Sequence, residues 1–265
     1  REEQSMKAGV NGVTLNYNLA GSGRLIAFGH SLGMKGEIFD PIRPMLENYG
    51  SLLTWDARGH GSSQKLSTGW TIEDLAKDLR GLIEYLGGDQ TVIAGLSMGG
   101  NTAIAYASAY PDKVERLVLA DTTAWYGEGA IAAWEKRAQK AETQGMEPVA
   151  PFNLTRWFSD GFLHSSPQEV QRIVDILLAT NVASYGAACR ALGHFDARDG
   201  LQRITCPTLI LVGADDPATP PAMAEYLHEN IQDSQLHVLP GLKHMTPVEA
   251  PEQVGSLILE FLQDR

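Results

Sequence analysis

The chain has 265 residues, with 32 acidic and 21 basic side chains and a formal net charge of −11. Hydrophobic residues make up 43% of it, which is enough for a large core, and a chain of this length forms one or two domains. The excess of carboxylates argues against a nucleic-acid ligand and against docking on an anionic membrane, because both need a basic face.

The sequence carries no signal for membrane insertion or export. No apolar run approaches the roughly 18 residues of a spanning helix. The segment from Arg1 to Lys7 lacks the apolar stretch of a signal peptide. The two cysteines, Cys189 and Cys206, have no metal-ligand spacing, and we expect buried thiols. Together these features predict a cytoplasmic enzyme that does not interact with membranes or nucleic acid.

Strand-like and helix-like segments alternate through the first half of the chain. The helix predicted over 71–86 has apolar residues at helical spacing, a capping box formed by Thr71 and Asp74, and a stop at Gly87. Short apolar runs typical of buried strands surround it. The other predicted elements are strands over 13–18, 25–28, 51–55, 91–94 and 114–120 and a helix over 99–110.

The pattern changes between residues 125 and 203, where helical segments occur without strands. Strand-helix alternation then resumes, which predicts an α/β fold with a mostly parallel sheet covered by helices on both faces. We expect residues 6–124 and 204–265 to form one core domain and residues 125–203 to form a helical cap inserted into it. The predicted elements here are helices over 130–141, 167–180 and 182–192, then strand 208–212, helix 220–230, strand 235–239 and helix 248–262.

The strongest chemical signal is the segment Gly95-Leu96-Ser97-Met98-Gly99-Gly100, which lies between a predicted strand and a predicted helix. A serine on such a tight turn projects its hydroxyl above the sheet edge, and small residues must flank it because the backbone approaches closely. The helix that follows directs free N–H groups at the site, which suits an oxyanion. Ser97 is therefore the candidate nucleophile.

A serine nucleophile needs a base and an acid that orients the base. His244 follows the predicted strand over 235–239, and both Asp215 and Asp216 follow the strand over 208–212. Asp121, after the strand that ends at Ala120, is a further acid candidate, although we expect it to cap its loop. All these loops leave the carboxyl ends of strands, where the sites of open parallel sheets lie.

At this point the chain resembles the α/β-hydrolase family, from about residue 9 to residue 263. The resemblance implies the α/β-hydrolase fold, Ser97 as nucleophile, His244 as base and Asp216 as acid, since the family places its acid three residues after the glycine that ends the strand. The matching stretches are Gly29-His30-Ser31-Leu32-Gly33, Asp56-Ala57-Arg58-Gly59-His60-Gly61-Ser62-Ser63, Gly95-Leu96-Ser97-Met98-Gly99-Gly100, Gly213-Ala214-Asp215-Asp216-Pro217 and His244 with Glu249-Ala250-Pro251.

The resemblance also implies an oxyanion hole made by the backbone N–H groups of Leu32 and Met98. This chain departs from the family at Ser31, where the family usually has glycine, and Ser31 is included in the predicted substrate pocket. The same resemblance implies a structural role for His30 and His60. A serine nucleophile argues against the aspartate-dependent branches of the fold, the haloalkane dehalogenases and epoxide hydrolases, and we expect no metal and no cofactor.

Within the family the chain is most similar to the 3-oxoadipate enol-lactonases. The supporting stretches are Ser31-Leu32-Gly33, Asp121-Thr122-Thr123-Ala124-Trp125, Arg156-Trp157-Phe158, Leu178-Ala179-Thr180, Phe195-Asp196-Ala197-Arg198-Asp199 and Asp216-Pro217-Ala218-Thr219-Pro220-Pro221. The enol-lactonases carry a basic residue before the match to Phe195, which this chain lacks. Arg156, Arg190 or a protonated His194 are the candidate replacements for binding a substrate carboxylate.

These observations predict a serine hydrolase that cleaves a small-molecule carboxylic ester or lactone through an acyl-enzyme. Trp125 and Trp157, and also Trp134, are expected to line the pocket together with His194. Three alternatives stay open: a carbon–carbon bond hydrolase, a cofactor-free perhydrolase and a ligand receptor built on a hydrolase body. The Gly-rich oxyanion loop of the first is absent around His30, the second tends to have Pro or Trp at Leu32-Gly33, and multiple turnovers would count against the third.

Overall fold

The computed structural model describes residues 5–264, so most of the N-terminal stretch considered for a signal peptide lies outside the described residues. Eight strands form one sheet in the order β1-β2-β4-β3-β5-β6-β7-β8. The strands are β1 Met6–Val10, β2 Val13–Ala20, β3 Leu25–Gly29, β4 Ser51–Trp55, β5 Thr91–Leu96, β6 Val114–Ala120, β7 Thr208–Gly213 and β8 Ser234–Leu239.

The sheet is mostly parallel, which confirms the predicted fold class. Only β1 with β2 and β2 with β4 pair antiparallel, whereas the pairs from β4 to β8 are all parallel. The carboxyl ends of β3, β5, β6, β7 and β8 therefore share one edge, and the loops that follow them meet there. Strand β1 was not predicted from the sequence, because its only apolar side chains turned inward are Ala8 and Val10.

Helices pack on the sheet and extend beyond it. The α-helices are α1 Arg43–Leu46, α2 Ile72–Tyr85, α3 Met98–Ala109, α4 Ala130–Gln144, α5 Val149–Trp157, α6 Asp160–Ser165, α7 Pro167–Leu178, α8 Val182–Gly193, α9 Pro221–Asn230, α10 Thr246–Glu249 and α11 Pro251–Gln263. Helix α2 begins with the predicted capping box of Thr71 and Asp74.

The single helix predicted over 248–262 is wrong, because the structure has two helices there. Pro251 forces the residue before it away from helical geometry, and Ala250 has φ −132° and ψ 61°. Helix α10 therefore ends at Glu249, and α11 starts with Pro251 at its first position, where the missing N–H costs nothing.

The segment between residues 125 and 203 contains α4 to α8 and a 3₁₀ helix, and its β-structure among the described residues is limited to an isolated bridge between Trp125 and Asp196. Helices α5 and α6 were not predicted, because Pro148, Pro151 and Gly161 interrupt the apolar pattern. Helices α4 and α8 pack on each other. The division into a core and a cap stays a prediction.

The interior is apolar and holds both thiols. Cys189 and Cys206 are free and buried, as predicted, and burial raises their thiol pKa values to about 12 and about 11. Between residues 5 and 264, the structure has no helix that is long and apolar enough to cross a membrane.

Candidate active site

Ser97 lies on the turn between β5 and α3 in a strained backbone conformation. Its φ of 54° and ψ of −114° are values that residues with a Cβ rarely adopt. The turn is fixed by the Ser97 N–H, which donates to the Ala120 carbonyl at 2.9 Å. A Cβ on Gly95 would lie 2.1 Å from the Gly99 oxygen, and one on Gly99 would lie 1.9 Å from the Gly29 oxygen. Only glycine fits at these positions, because the backbones of β3, β5 and α3 touch.

Three side chains from separate loops form a continuous hydrogen-bonded chain at this edge. The Ser97 Oγ lies 2.9 Å from His244 Nε2, and His244 Nδ1 lies 2.7 Å from Asp216 Oδ2. All three residues are buried. If Asp216 is ionised, it fixes the proton of His244 on Nδ1 and leaves Nε2 free to accept the serine proton.

The surroundings of Asp216 favour its ionised form. Burial by itself would raise the pKa of this carboxyl, but His244 and nearby amide donors outweigh it and hold the pKa below the usual value. The N–H groups of Ala218 and Thr219 donate to Oδ1 at 2.7 and 3.0 Å. The Thr219 hydroxyl donates to Oδ2 at 2.8 Å. Asp216 therefore remains a carboxylate that can orient His244.

The other two acid candidates lie apart from His244. Asp215 is exposed on its loop. Asp121 is buried at φ 46°, and its carboxylate accepts from the Gly213 N–H at 3.1 Å and from the Thr246 N–H at 2.9 Å. Burial and the nearby Asp216 raise the pKa of Asp121. Asp121 thus ties the loop before Asp216 to the segment after His244, which is the loop-capping position that the sequence suggested.

Two backbone N–H groups are available for an oxyanion beside Ser97. Within residues 5–264, the N–H groups of Leu32 and Met98 donate no hydrogen bond. Met98 begins α3, so its N–H is one of the free donors of a helix N-terminus. Leu32 lies in a turn that the Met34 N–H closes by donating to the Ser31 oxygen at 3.1 Å.

His30 and His60 are buried supports of this region and do not reach Ser97. The Ala57 N–H donates to His30 Nε2 at 2.9 Å, so Nδ1 carries the proton that His30 donates to the Ser31 oxygen at 2.8 Å. The His60 ring lies 5.0 Å from that of His30. Burial lowers the pKa of both histidines, that of His60 to about 3.

The buried histidines predict a loss of stability in acid. Unfolding returns the pKa of His60 from about 3 to its ordinary value of 6.5. Below pH 6.5 the unfolded chain binds a proton that the folded protein does not, so the free energy of unfolding decreases as the pH decreases. We expect His60 to contribute up to about 1.4 kcal/mol per pH unit as the pH falls from 6.5 towards 3.

Urea denaturation at several pH values measures this slope. The variant His60→Gln is expected to lose less stability between neutral and acidic pH than the parent, because it removes a buried histidine whose pKa burial lowers. His228→Gln, at an exposed position, is the control and should keep the parental slope. A parental slope in His60→Gln would contradict the prediction.

A cavity of about 70 Å³ opens directly onto Ser97 and His244. Its walls come from the turn over residues 31–34, which we call the oxyanion turn, from the loops of the sheet edge and from helices α4 and α5. Of the residues predicted for the pocket, Ser31, Trp134 and Trp157 lie on this wall. The full lining is Ser31, Leu32, Ser97, Tyr126, Trp134, Arg137, Asn153, Arg156, Trp157, Ala218, Thr219 and His244.

Two residues predicted for the pocket lie elsewhere. Trp125 is not part of the cavity wall; its ring packs under the Arg198 guanidinium, whose carbon lies 3.7 Å from the ring centre. His194 is exposed at the C-terminal end of α8. Trp125 lies in an isolated bridge with Asp196 and His194 follows the last residue of α8, so the local sequence pattern does not say which way either side chain turns.

Tyr126, the neighbour of Trp125, takes the position that sequence reasoning gave to the tryptophan. Its hydroxyl donates to Asn101 Oδ1 at 2.9 Å and also interacts with the Ser97 hydroxyl. Burial raises the pKa of Tyr126, so the phenol stays protonated. The cavity therefore has a neutral hydrogen-bonding group beside the serine.

The cations of the insertion are arranged differently from the sequence-based expectation. Arg190 forms ion pairs with Glu135 and Glu142 at 2.8 and 2.7 Å and does not reach the cavity. Arg156 does line the cavity, and it donates to the Pro217 oxygen at 3.0 Å. Arg137, which the sequence did not single out, lines it too.

Arg137 is held in place by neutral groups. Its Nε donates to the Tyr185 hydroxyl and its Nη2 to Asn153 Oδ1, both at 2.8 Å, and its guanidinium lies 5.0 Å from the Trp134 ring centre. Among residues 5–264, no carboxylate forms an ion pair with Arg137. The buried Asn153 Nδ2 on the same wall has no hydrogen-bond partner there. The cavity wall thus contains a guanidinium that has no acidic partner among the described residues.

A second, larger cavity of about 580 Å³ adjoins the first. The two cavities have a common wall, formed by Tyr126, Trp134, Arg137, Arg156 and Ala218. Across residues 5–264, no group of three or more His, Cys, Asp or Glu side chains is placed to hold a metal ion.

Comparisons with known proteins agree with this fold. The family described as serine aminopeptidase, S33, matches residues 23–251. The chain is 34% identical to 3-oxoadipate enol-lactonase 2 of Acinetobacter baylyi, over 91% of this chain and 90% of that protein. It is 30% identical to 3-oxoadipate enol-lactonase 1 of the same organism, over 95% of this chain and 94% of that protein.

Solved structures give the same result. The enol-lactonase from Burkholderia xenovorans LB400 superposes with a TM-score of 0.94 at 31% identity, covering 98% of this chain and 100% of that one. A thermophilic esterase from Thermogutta terrifontis gives a TM-score of 0.92 at 29% identity, covering 98% of both chains. The chain belongs to the α/β-hydrolase family, and it is a hydrolase.

Proposed function

We propose that this protein hydrolyses a small carboxylic ester or lactone by nucleophilic catalysis at Ser97. The single observation that carries the proposal is the hydrogen-bonded chain from Ser97 through His244 to Asp216, with contacts of 2.9 and 2.7 Å. Such a chain lets a weak nucleophile lose its proton as it attacks. Residues 125–203 act as a cap that closes the substrate cavity over these groups.

The reaction proceeds in two halves through an acyl-enzyme. His244 Nε2 takes the Ser97 proton while Oγ attacks the carbonyl carbon, and the N–H groups of Leu32 and Met98 stabilise the negative oxygen that develops. His244 then gives the proton to the leaving alkoxide or enolate. In the second half His244 takes a proton from water, the resulting hydroxide attacks the acyl-enzyme, and Ser97 recovers its proton.

The substrate we propose carries a carboxylate. Arg137 lines the cavity and has no acidic partner among the described residues, so a carboxylate of the substrate would supply the missing anion. Arg156 adds a second cation to the same wall. The similar proteins are named 3-oxoadipate enol-lactonases, and a carboxylate-bearing enol-lactone is the substrate that fits both lines of support.

A hydrolysis panel with the purified protein tests this proposal. The panel contains phenyl acetate, a neutral five-membered enol-lactone, the same lactone with a carboxymethyl substituent, and leucine p-nitroanilide. We expect multiple turnovers with the carboxymethyl lactone fastest. The anilide should not react, because its ammonium group would meet Arg137 and Arg156 in the cavity instead of a carboxylate.

Each outcome of the panel has a consequence. Turnover of esters and lactones that Ser97→Ala abolishes supports the proposal. A single slow acylation without turnover would contradict it and favour a ligand receptor. Preferred cleavage of the anilide would point to a peptidase and contradict the proposed substrate.

A further inference from the structure

The turn that presents the Leu32 N–H is held on its core side by His30. The Ser31 oxygen accepts from His30 Nδ1 at 2.8 Å and from the Met34 N–H at 3.1 Å. Gly33, the third residue of this turn, has φ 75°, a conformation that glycine adopts without strain. These contacts fix one end of the turn.

The other end of the turn is held by the inserted segment. The Thr180 hydroxyl, between α7 and α8, donates to the Gly33 oxygen at 2.9 Å, a contact that spans 147 residues of sequence. The Thr180 hydroxyl oxygen also lies 3.2 Å from the Ile176 carbonyl oxygen, the usual helical position for a threonine hydroxyl. Thr180 is buried, so water does not replace this bond.

Packing leaves the turn little room to move. A Cβ on Gly33 would lie 2.7 Å from Leu177 Cδ1 and 3.3 Å from Tyr185 Cε2. Leu177 lies in the last turn of α7. Tyr185 on α8 accepts the hydrogen bond that Arg137 donates. The inserted helices therefore touch the oxyanion turn and the cavity wall at once.

We propose that Thr180 is a positioning residue that holds the Leu32 N–H in line with the oxyanion. The inference rests on the proposed function, because it assigns Leu32 to the oxyanion hole. Without the hydroxyl, the peptide group of Gly33 loses its tie to the insertion and the turn shifts. The effect falls on the transition state, whose charged oxygen needs the donor, more than on the bound substrate.

Kinetics of Thr180→Val test this role, since valine keeps the shape and removes the hydroxyl. We expect kcat for phenyl acetate to fall about tenfold while KM changes less than about twofold, because removing an oxyanion donor altogether costs about 10²–10³-fold in kcat. The inhibition constant of a trifluoromethyl ketone, which forms a tetrahedral oxyanion on the serine, should rise by the same factor by which kcat falls. Thr180→Ser keeps the donor and should restore both values.

The matched control is Thr208→Val at the opposite end of the sheet. Thr208 is also buried, and its hydroxyl donates to the Cys206 oxygen at 3.1 Å. We expect it to leave kcat and the inhibition constant unchanged. If Thr180→Val fails to fold, Thr180→Cys replaces it in the same measurements of kcat and the inhibition constant, because a thiol is a weak donor.

The inference and the proposed function fail in different ways. Parental kcat and ketone affinity in Thr180→Val, with turnover still dependent on Ser97, would overturn the role of Thr180 alone. A rise in KM without a change in kcat would overturn it too, since that marks lost substrate binding. Absence of turnover that depends on Ser97 in the parent would overturn the proposed function itself.

Discussion

Replacing Ser97 with alanine is expected to lower kcat by about 10⁵-fold or more, because the hydroxyl that His244 Nε2 contacts is that of Ser97 and the three residues act as a unit. The fold should remain, since the Ser97 side chain contacts His244 but no buried apolar neighbour depends on its hydroxyl. Hydrolysis of phenyl acetate and the unfolding midpoint are measured on the same preparation. Activity within tenfold of the parent would contradict the mechanism.

A glycine at position 97 tests whether the backbone conformation of Ser97 lowers the stability of the protein, apart from the role of its hydroxyl. Ser97 keeps φ at 54°, a conformation that costs a residue with a Cβ about 1–3 kcal/mol. Ser97→Gly should therefore be inactive yet more stable than Ser97→Ala by about 1 kcal/mol, net of the greater freedom of glycine when unfolded. Urea denaturation measures the difference.

The control for this comparison is an exposed serine in an ordinary helix. Ser256→Gly in α11 should lower stability relative to Ser256→Ala by about 1 kcal/mol, which is the opposite sign. Equal signs at the two positions would contradict the claim that the active-site turn stores strain.

The second large effect is expected at Arg137. Arg137→Met should lower kcat/KM for the carboxymethyl enol-lactone about 100-fold, since a charge-assisted hydrogen bond contributes about 1.5–3 kcal/mol. The neutral enol-lactone carries no anion, so its kcat/KM should change less than about threefold. The ratio between the two substrates is the measured quantity, and it cancels losses common to both.

Arg190→Met is the matched control for Arg137. Both arginines belong to the inserted segment, but Arg190 pairs with Glu135 and Glu142 away from the cavity. We expect this variant to keep the parental ratio of the two lactones. Equal losses on both substrates in Arg137→Met would mean that the arginine shapes the wall through Tyr185 and Asn153 and does not bind a carboxylate.

The net charge of −11 contrasts with the two arginines on the cavity wall. An acidic surface repels an anionic substrate at long range, although physiological salt screens that repulsion beyond about 8 Å. Inside the cavity, where solvent screens less, Arg137 and Arg156 supply the opposite sign. If the substrate carries the proposed carboxylate, selectivity for it therefore depends on contacts made after entry.

Local sequence predicted most of the sheet and missed elements that lack a strong pattern. Strands such as Thr208–Gly213 are continuous apolar runs, so their positions follow from burial alone. Met6–Val10 is short and half polar, and it is a strand because it pairs with Val13–Ala20. The break at Ala250 follows from Pro251, which disfavours helical geometry in the residue before it, and the apolar period of the closing helix does not reveal that break.

The sequence by itself determined the candidate chemistry, since Ser97, Asp216 and His244 each follow a strand in loops that a parallel sheet brings to one edge. It also determined the glycines around Ser97, because backbone contact there excludes any side chain. Only the tertiary structure decided which residues of the insertion face Ser97. It placed Arg137, Asn153 and Tyr126 on the cavity wall and Trp125 and His194 outside it. The physical reason is that tertiary packing decides which side of the insertion faces the sheet. Helical periodicity does not reveal that side for Arg137 and Asn153, and Trp125, Tyr126 and His194 lie outside the helices.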